Sequence, residues 1–180
     1  MRPHAHSLSY LRPLLAATAG LALLSSLLAG PALAQIVALG ASQTAGRGVT
    51  SSEAYPAQLE AMLRAEGIPM SVTNAGISGD TTDRMLRRLD SAVPQGTRLV
   101  ILQPGGNDAR TGGGEDRSEN IDAIRARLQA RGIRMIVLGG GMLQSIPAGM
   151  RQHDQIHFTA EGYRLLASRM LPRVKAALGG

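Results

Sequence analysis

Four short apolar runs, QIVALG, MSVTNAG, RLVILQPGG and IRMIVLGG, alternate with helical segments, and each breaks off into glycine and small polar residues. No other feature constrains the fold as much. Short, nearly continuous apolar runs bounded by glycine suit strands buried on both faces. Between them, SSEAYPAQLEAMLRAEG places Leu59, Met62 and Leu63 at helical spacing. TTDRMLRRLDSAV does so with Met85, Leu86 and Leu89, and EDRSENIDAIRARLQARG with Ile121, Ile124 and Leu128. TAEGYRLLASRMLPRVKAAL reads as a last helix with Thr159 as N-cap and Glu161 in its first turn. Strand and helix in alternation predict an α/β chain: a parallel sheet inside a three-layer α/β/α sandwich. LRAEGIPMSV and LQARGIRMIV read as one helix-to-strand joint used twice, with glycine left-handed and isoleucine packing back on the helix.

Residues 1–34 are a different kind of sequence. Arg2 and Arg12 precede the uncharged LLAATAGLALLSSLLAG, and the small-residue site at Ala32 and Ala34 follows. This is the pattern of a signal peptide, with the domain itself at 35–180 and a periplasmic or secreted destination. The apolar run is short for a membrane anchor. The chain contains no cysteine, so the domain must fold by packing alone. Aromatic residues after position 34 are limited to Tyr55, Phe158 and Tyr163. Nucleic acid is not an expected partner, because there is no aromatic platform and no dense basic stripe.

In open parallel sheets, ligands bind beyond the carboxyl ends of the strands. The residues of chemical interest collect there: Ser42 after the first strand, NAGISGDT after the second, PGGND after the third, and HDQIH across a longer loop after the fourth. Each stretch alone is also ordinary turn chemistry, with Ser42, Asp80 and Asp108 as caps. Turn chemistry does not explain four such stretches converging on one edge of the sheet. A serine hydroxyl needs a base, and the base needs an orienting partner. His153 and His157 are the two histidines beyond position 34. Asp154 lies three residues before His157, a spacing that lets its carboxylate fold back onto the imidazole. Gly79 offers an open backbone N–H and Asn107 a side-chain amide, the donors that a developing oxyanion needs; the N–H of Ser42 would be a third.

GASQTAG, NAGISGDT, PGGND and DQIH, in this order and context, resemble the GDSL, or SGNH, hydrolase family and its arylesterase, thioesterase and lysophospholipase branch. EAYPAQLEAML also resembles the family's aromatic-Pro first helix. The resemblance implies a flavodoxin-like SGNH fold, with Ser42 as nucleophile, Ser42, Gly79 and Asn107 as oxyanion donors, and Asp154 and His157 as the acid–base pair. Two departures stand out. Ala41 replaces the family's usual aspartate before the serine, which implies a looser turn. The stretch from Asn107 to Asp154 is short, which implies a sheet of four strands, with five as the alternative, since relatives of this branch usually have a fifth.

The expectation is therefore a serine ester hydrolase acting on small acyl esters, needing neither cofactor nor metal, and meeting membrane only through its transient signal or a lipid-like substrate. The rivals are a carbohydrate O-acetylesterase of the same mechanism and a catalytically degenerate binding module of the same fold. A metal site built from HDQIH has too few ligands to compete. The loop from Gly139 to Gln152 offers Met142, Leu143, Ile146 and Met150 as a small acyl pocket.

Overall fold

The computed structural model of the protein describes residues 35–179, so the signal-peptide reading of residues 1–34 falls outside the described residues. Strands β1 (Gln35–Gly40), β2 (Ser71–Gly76), β3 (Thr97–Gln103) and β4 (Arg134–Val137) form one parallel sheet in the order β2-β1-β3-β4. The order places the topological switch between β1 and β3. The crevice between their carboxyl ends is where such sheets bind ligands. Ser42 follows β1 and Asn107 follows β3, so the sheet itself aims both at that crevice.

Alternation along the strands divides the core in two. Ile36, Ala38, Leu99 and Ile101 face α2 (Tyr55–Ala65) and α8 (Ala160–Leu178), packing on Leu59, Leu63, Leu166 and Met170. Val37, Leu39, Val100 and Leu102 face the other way, onto Met85, Leu89, Ile124 and Leu128. Those four residues come from α3 (Thr82–Arg87), α4 (Leu89–Ala92) and α6 (Arg117–Ala130). Helices on both faces explain why the strands read as unbroken apolar runs. The three-layer α/β/α sandwich is the expected one, with four strands among the described residues.

Local chemistry matches several expectations. Gly67 and Gly132 adopt φ of +75° and +69°. In both joints the following isoleucine N–H donates back into the helix, Ile68 to Leu63 and Ile133 to Leu128, each at 2.9 Å. Glycine avoids the Cβ penalty of that left-handed turn. Thr159 caps α8, its hydroxyl accepting from the Gly162 N–H at 3.3 Å.

Two expectations need correction, and the turn-chemistry alternative for Asp80 and Asp108 also fails. The stretch TTDRMLRRLDSAV is two short helices, broken at Arg88. The Arg88 side chain reaches inward to the buried Asp80 carboxylate at 2.8 Å and to the Ala75 carbonyl at 2.9 Å. Asp80 and Asp108 do not cap their own turns. Asp108 is buried and accepts instead from the backbone N–H of Thr82 at 2.9 Å, tying the start of α3 to the end of β3. Residues 139–152 are not a bare loop, since they hold α7 (Gly140–Gln144) and a 3₁₀ turn at Ala148–Met150.

Candidate active site

Ser42 is the first residue of α1 (Ser42–Ala45), directly after the buried strand β1. The turn is held tightly despite Ala41. The Ala41 N–H donates to Gln103 Oε1 at 3.0 Å, and the Thr44 hydroxyl lies 3.3 Å from the same oxygen. Gln103 is buried at the end of β3. A Cβ on Gly76 would collide with the backbone of Thr44 and Ala45, so the end of β2 also presses against this turn. The expectation of a looser turn is thus corrected: a glutamine from a neighbouring strand takes up the free N–H.

His157 Nε2 lies 2.8 Å from Ser42 Oγ, and His157 Nδ1 lies 2.6 Å from Asp154 Oδ2. An ionised carboxylate can only accept hydrogen bonds. Nδ1 therefore carries the proton, and Nε2 is left to accept from the serine hydroxyl. The other carboxylate oxygen of Asp154 accepts from the backbone N–H groups of Ile156 and His157, both at 2.9 Å. One side chain shapes the turn and orients the ring together. The His157 hydrogen bond, followed by these backbone donors, holds the Asp154 carboxyl well below the usual carboxylate range. The imidazole is buried, whereas 41% of the Asp154 side chain is exposed. His153 is exposed and takes no part in these bonds.

A loop-borne histidine needs external restraint, and polar side chains supply it. Arg151 and Phe158 form an antiparallel bridge that closes the loop. The Arg151 guanidinium donates to the carbonyls of Leu143 at 2.9 Å, Ile146 at 3.1 Å and Gln155 at 3.3 Å. It also sits 5.1 Å from the centre of the buried Phe158 ring, which meets Tyr163 edge-on. Gln152 Nε2 donates to the carbonyls of Arg47 at 2.8 Å and Phe158 at 2.7 Å. Gln43 Nε2, from the serine turn, donates to the Ile156 carbonyl. Sequence reasoning missed Gln43, Gln103, Arg151 and Gln152. Their partners are backbone carbonyls and N–H groups, which leave no trace in side-chain spacing.

Asn107 is buried at the start of α5 (Asn107–Arg110). Its Nδ2 donates to the Asp80 carbonyl at 2.7 Å, while its Oδ1 accepts from Arg110. Arg110 thereby holds the amide in one orientation, with a second Nδ2 hydrogen still available. A cavity of about 470 Å³ opens here, lined by Ser42 and Asn107 together with Gln103, Arg110, Arg117, Leu138, Leu143, Arg151 and Ile156, among others. Gly79 has φ +82° in the turn after β2 and is not part of that lining. Of the four residues expected to form an acyl pocket, Leu143 alone lines the cavity. Ile146 is buried in the core, and Met142 and Met150 pack against it. Among the described residues, no three His, Cys, Asp or Glu side chains come together as a metal site.

The sequence model of the GDSL-like lipase/acylhydrolase family matches residues 38–155 of this chain. The chain is 31% identical over 106 residues to esterase TesA of Pseudomonas aeruginosa, a match covering 58% of this chain and 53% of that protein. It is 35% identical over 85 residues to an arylesterase of Vibrio mimicus, covering 47% of this chain and 42% of the relative. The chain thus spans about half the length of these curated relatives. A crystal structure of TesA superimposes with a TM-score of 0.73 at 25% identity, covering 79% of this chain and 99% of that one.

Proposed function

This chain belongs to the GDSL-like lipase/acylhydrolase family, and from that premise we propose that it is a serine ester hydrolase acting on short acyl esters. The observation that carries the reading is the chain of hydrogen bonds from Asp154 through His157 to Ser42, at the carboxyl edge of the sheet and beside an open cavity. Ser42 Oγ attacks the ester carbonyl while His157 Nε2 takes its proton. The carbonyl oxygen becomes an oxyanion, met by the second Nδ2 hydrogen of Asn107 and the backbone N–H groups of Ser42 and Gly79. Collapse breaks the bond to the alcohol oxygen, which leaves with the proton from His157. Water, deprotonated by the same imidazole, then attacks the acyl-serine and releases the acid. Asp154 keeps the imidazole in the working tautomer throughout. A carbohydrate O-acetylesterase would use the same residues, so substrate panels separate it from this reading.

The test is Ser42→Ala, assayed on p-nitrophenyl acetate and butyrate together with a serine-reactive phosphonate. The variant should keep its fold, lose phosphonate labelling and lose at least about 10³-fold in kcat, because a triad acts as a unit. Retention of a tenth of the wild-type rate would assign the chemistry elsewhere. From the signal-peptide pattern of residues 1–34 we further propose a destination outside the cytoplasm, with cleavage after Ala34. N-terminal sequencing of the exported protein should then begin at Gln35, and an N-terminus at Met1 would overturn it.

A further inference from the structure

The cavity beside Ser42 is lined by three arginines, Arg110, Arg117 and Arg151, and by no carboxylate. The ion pairs among the described residues engage Arg64, Arg87, Arg88, Arg125, Arg131, Lys175 and His157, and none of these three arginines. Their hydrogen bonds go to neutral acceptors instead. Arg110 donates to Asn107 Oδ1, and Arg117 donates to the Gly105 carbonyl at 3.3 Å. Arg151 spends both terminal nitrogens on loop carbonyls. Neutral acceptors orient a guanidinium without cancelling its charge. A guanidinium has five donors, so Arg110 and Arg117 each keep several free. Asp154 lies outside the lining and faces His157.

We propose that this cavity selects esters that carry a negative charge, a carboxylate or a phosphate, with Arg110 and Arg117 binding the anion. Arg151 adds its charge from the opposite loop. The proposal rests on the ester-hydrolase reading and adds a substrate class to it. The planar, forked guanidinium matches both anions in two-point geometry. A cleft lined by one sign of charge also concentrates substrates of the opposite sign.

The experiment compares three p-nitrophenyl esters of matched length: an adipate mono-ester with a free carboxylate, its methyl-capped neutral twin, and an acyl ester ending in a phosphate. kcat/KM is measured at low and high salt, after subtraction of spontaneous hydrolysis. We expect one or both anionic esters to exceed the neutral twin by about tenfold or more at low salt, as one charge-assisted contact implies. The carboxylate and phosphate arms tell which anion is preferred. The preference should shrink at high salt, where the screening length falls to a few ångströms. Arg117→Gln and Arg110→Gln should each lower the anionic-to-neutral ratio. Because the readout is a ratio, a general loss from disturbing Asn107 through Arg110 does not imitate the result. Turnover of the neutral ester with no preference for either anion overturns this proposal and leaves the hydrolase reading standing. No turnover of any ester, with no phosphonate labelling of Ser42, overturns both.

Discussion

Ser42 and His157 meet at 2.8 Å but are held there by different means. Ser42 stands at the end of β1, a strand buried along almost its whole length, and its turn is pressed between the ends of β2 and β3. The packed core positions it. His157 rides on a loop whose backbone owes its shape to the side chains of Arg151, Gln152 and Asp154. Polar bonds to carbonyls do here what a longer stretch of secondary structure would do elsewhere. A short connection can thus hold a histidine against a serine, provided that side chains fill the place of missing helix or strand. It follows that damage to the serine side should register first in stability, and damage to the histidine side first in rate.

The largest break in that contrast should come from Asp154→Asn. An amide in place of the carboxylate no longer selects the tautomer with Nδ1 protonated, so kcat should fall by about 10²–10⁴-fold with little change in KM. A loss under tenfold would mean that the exposed side of Asp154 is replaced by water. Its pH behaviour sharpens the point. The folded protein holds this carboxyl below its ordinary value, so whatever stability its charge contributes is present above the ordinary carboxylate range and lost as pH falls through the lowered value. Asp154 therefore stays ionised throughout the ordinary carboxylate range and above it. Titration of Asp154 itself should therefore add no limb to the wild-type rate profile above that range, and a limb there that disappears in Asp154→Asn would contradict the lowered value.

Arg151→Met is the next test. It leaves the carbonyls of Leu143, Ile146 and Gln155 without their donor and frees the histidine loop. A displacement of about 1 Å can cost 10²-fold, so kcat should fall by about 10–10²-fold. Arg151→Lys should rescue little, because a single ammonium cannot span the same carbonyls. Full rescue by lysine would reduce the role to charge alone.

Gln103→Leu probes the serine side. It strands the buried Ala41 N–H, which should cost about 1–3 kcal/mol in denaturant unfolding. Its loss in kcat should be smaller than that of Arg151→Met, and the reverse order would erase the contrast drawn between the two regions. The smallest effect concerns acyl length. Leu138, Leu143 and Ile156 provide a limited apolar wall. Each methylene buried there should raise kcat/KM by about 0.8 kcal/mol, or roughly fourfold. The series should level off near butyryl or hexanoyl esters. A steady rise to dodecanoyl would require a groove beyond these residues.

The strands, their parallel sheet and the residues at their carboxyl ends were legible in the sequence, because burial on both faces leaves a local signature and strand ends need small residues. Ser42 and Asn107 follow the same signal, directly after β1 and β3, whereas Asp154 and His157 lie beyond α7 and were singled out by the spacing of a carboxylate three residues before a histidine. Expectations failed where a tertiary contact competed with a local pattern. Arg88 breaks an apparently continuous helix by reaching inward to Asp80, and Met142, Ile146 and Met150 turn to the core rather than to the cavity. Neither outcome has a period that a sequence could display.

What the sequence determined by itself was the fold class and the polar strand ends that gather at one edge of the sheet, since both follow from which side chains are apolar and where each run stops. What only the tertiary structure decided was how those residues are held and what surrounds them. Gln103 replaces the support expected from the position of Ala41, Arg151 stiffens the histidine loop, and three arginines gather in a cavity without an acid. The physical reason is the range of the interactions. Periodicity and capping act within a few residues, whereas a guanidinium or an amide chooses backbone partners that the chain brings near only once it has folded.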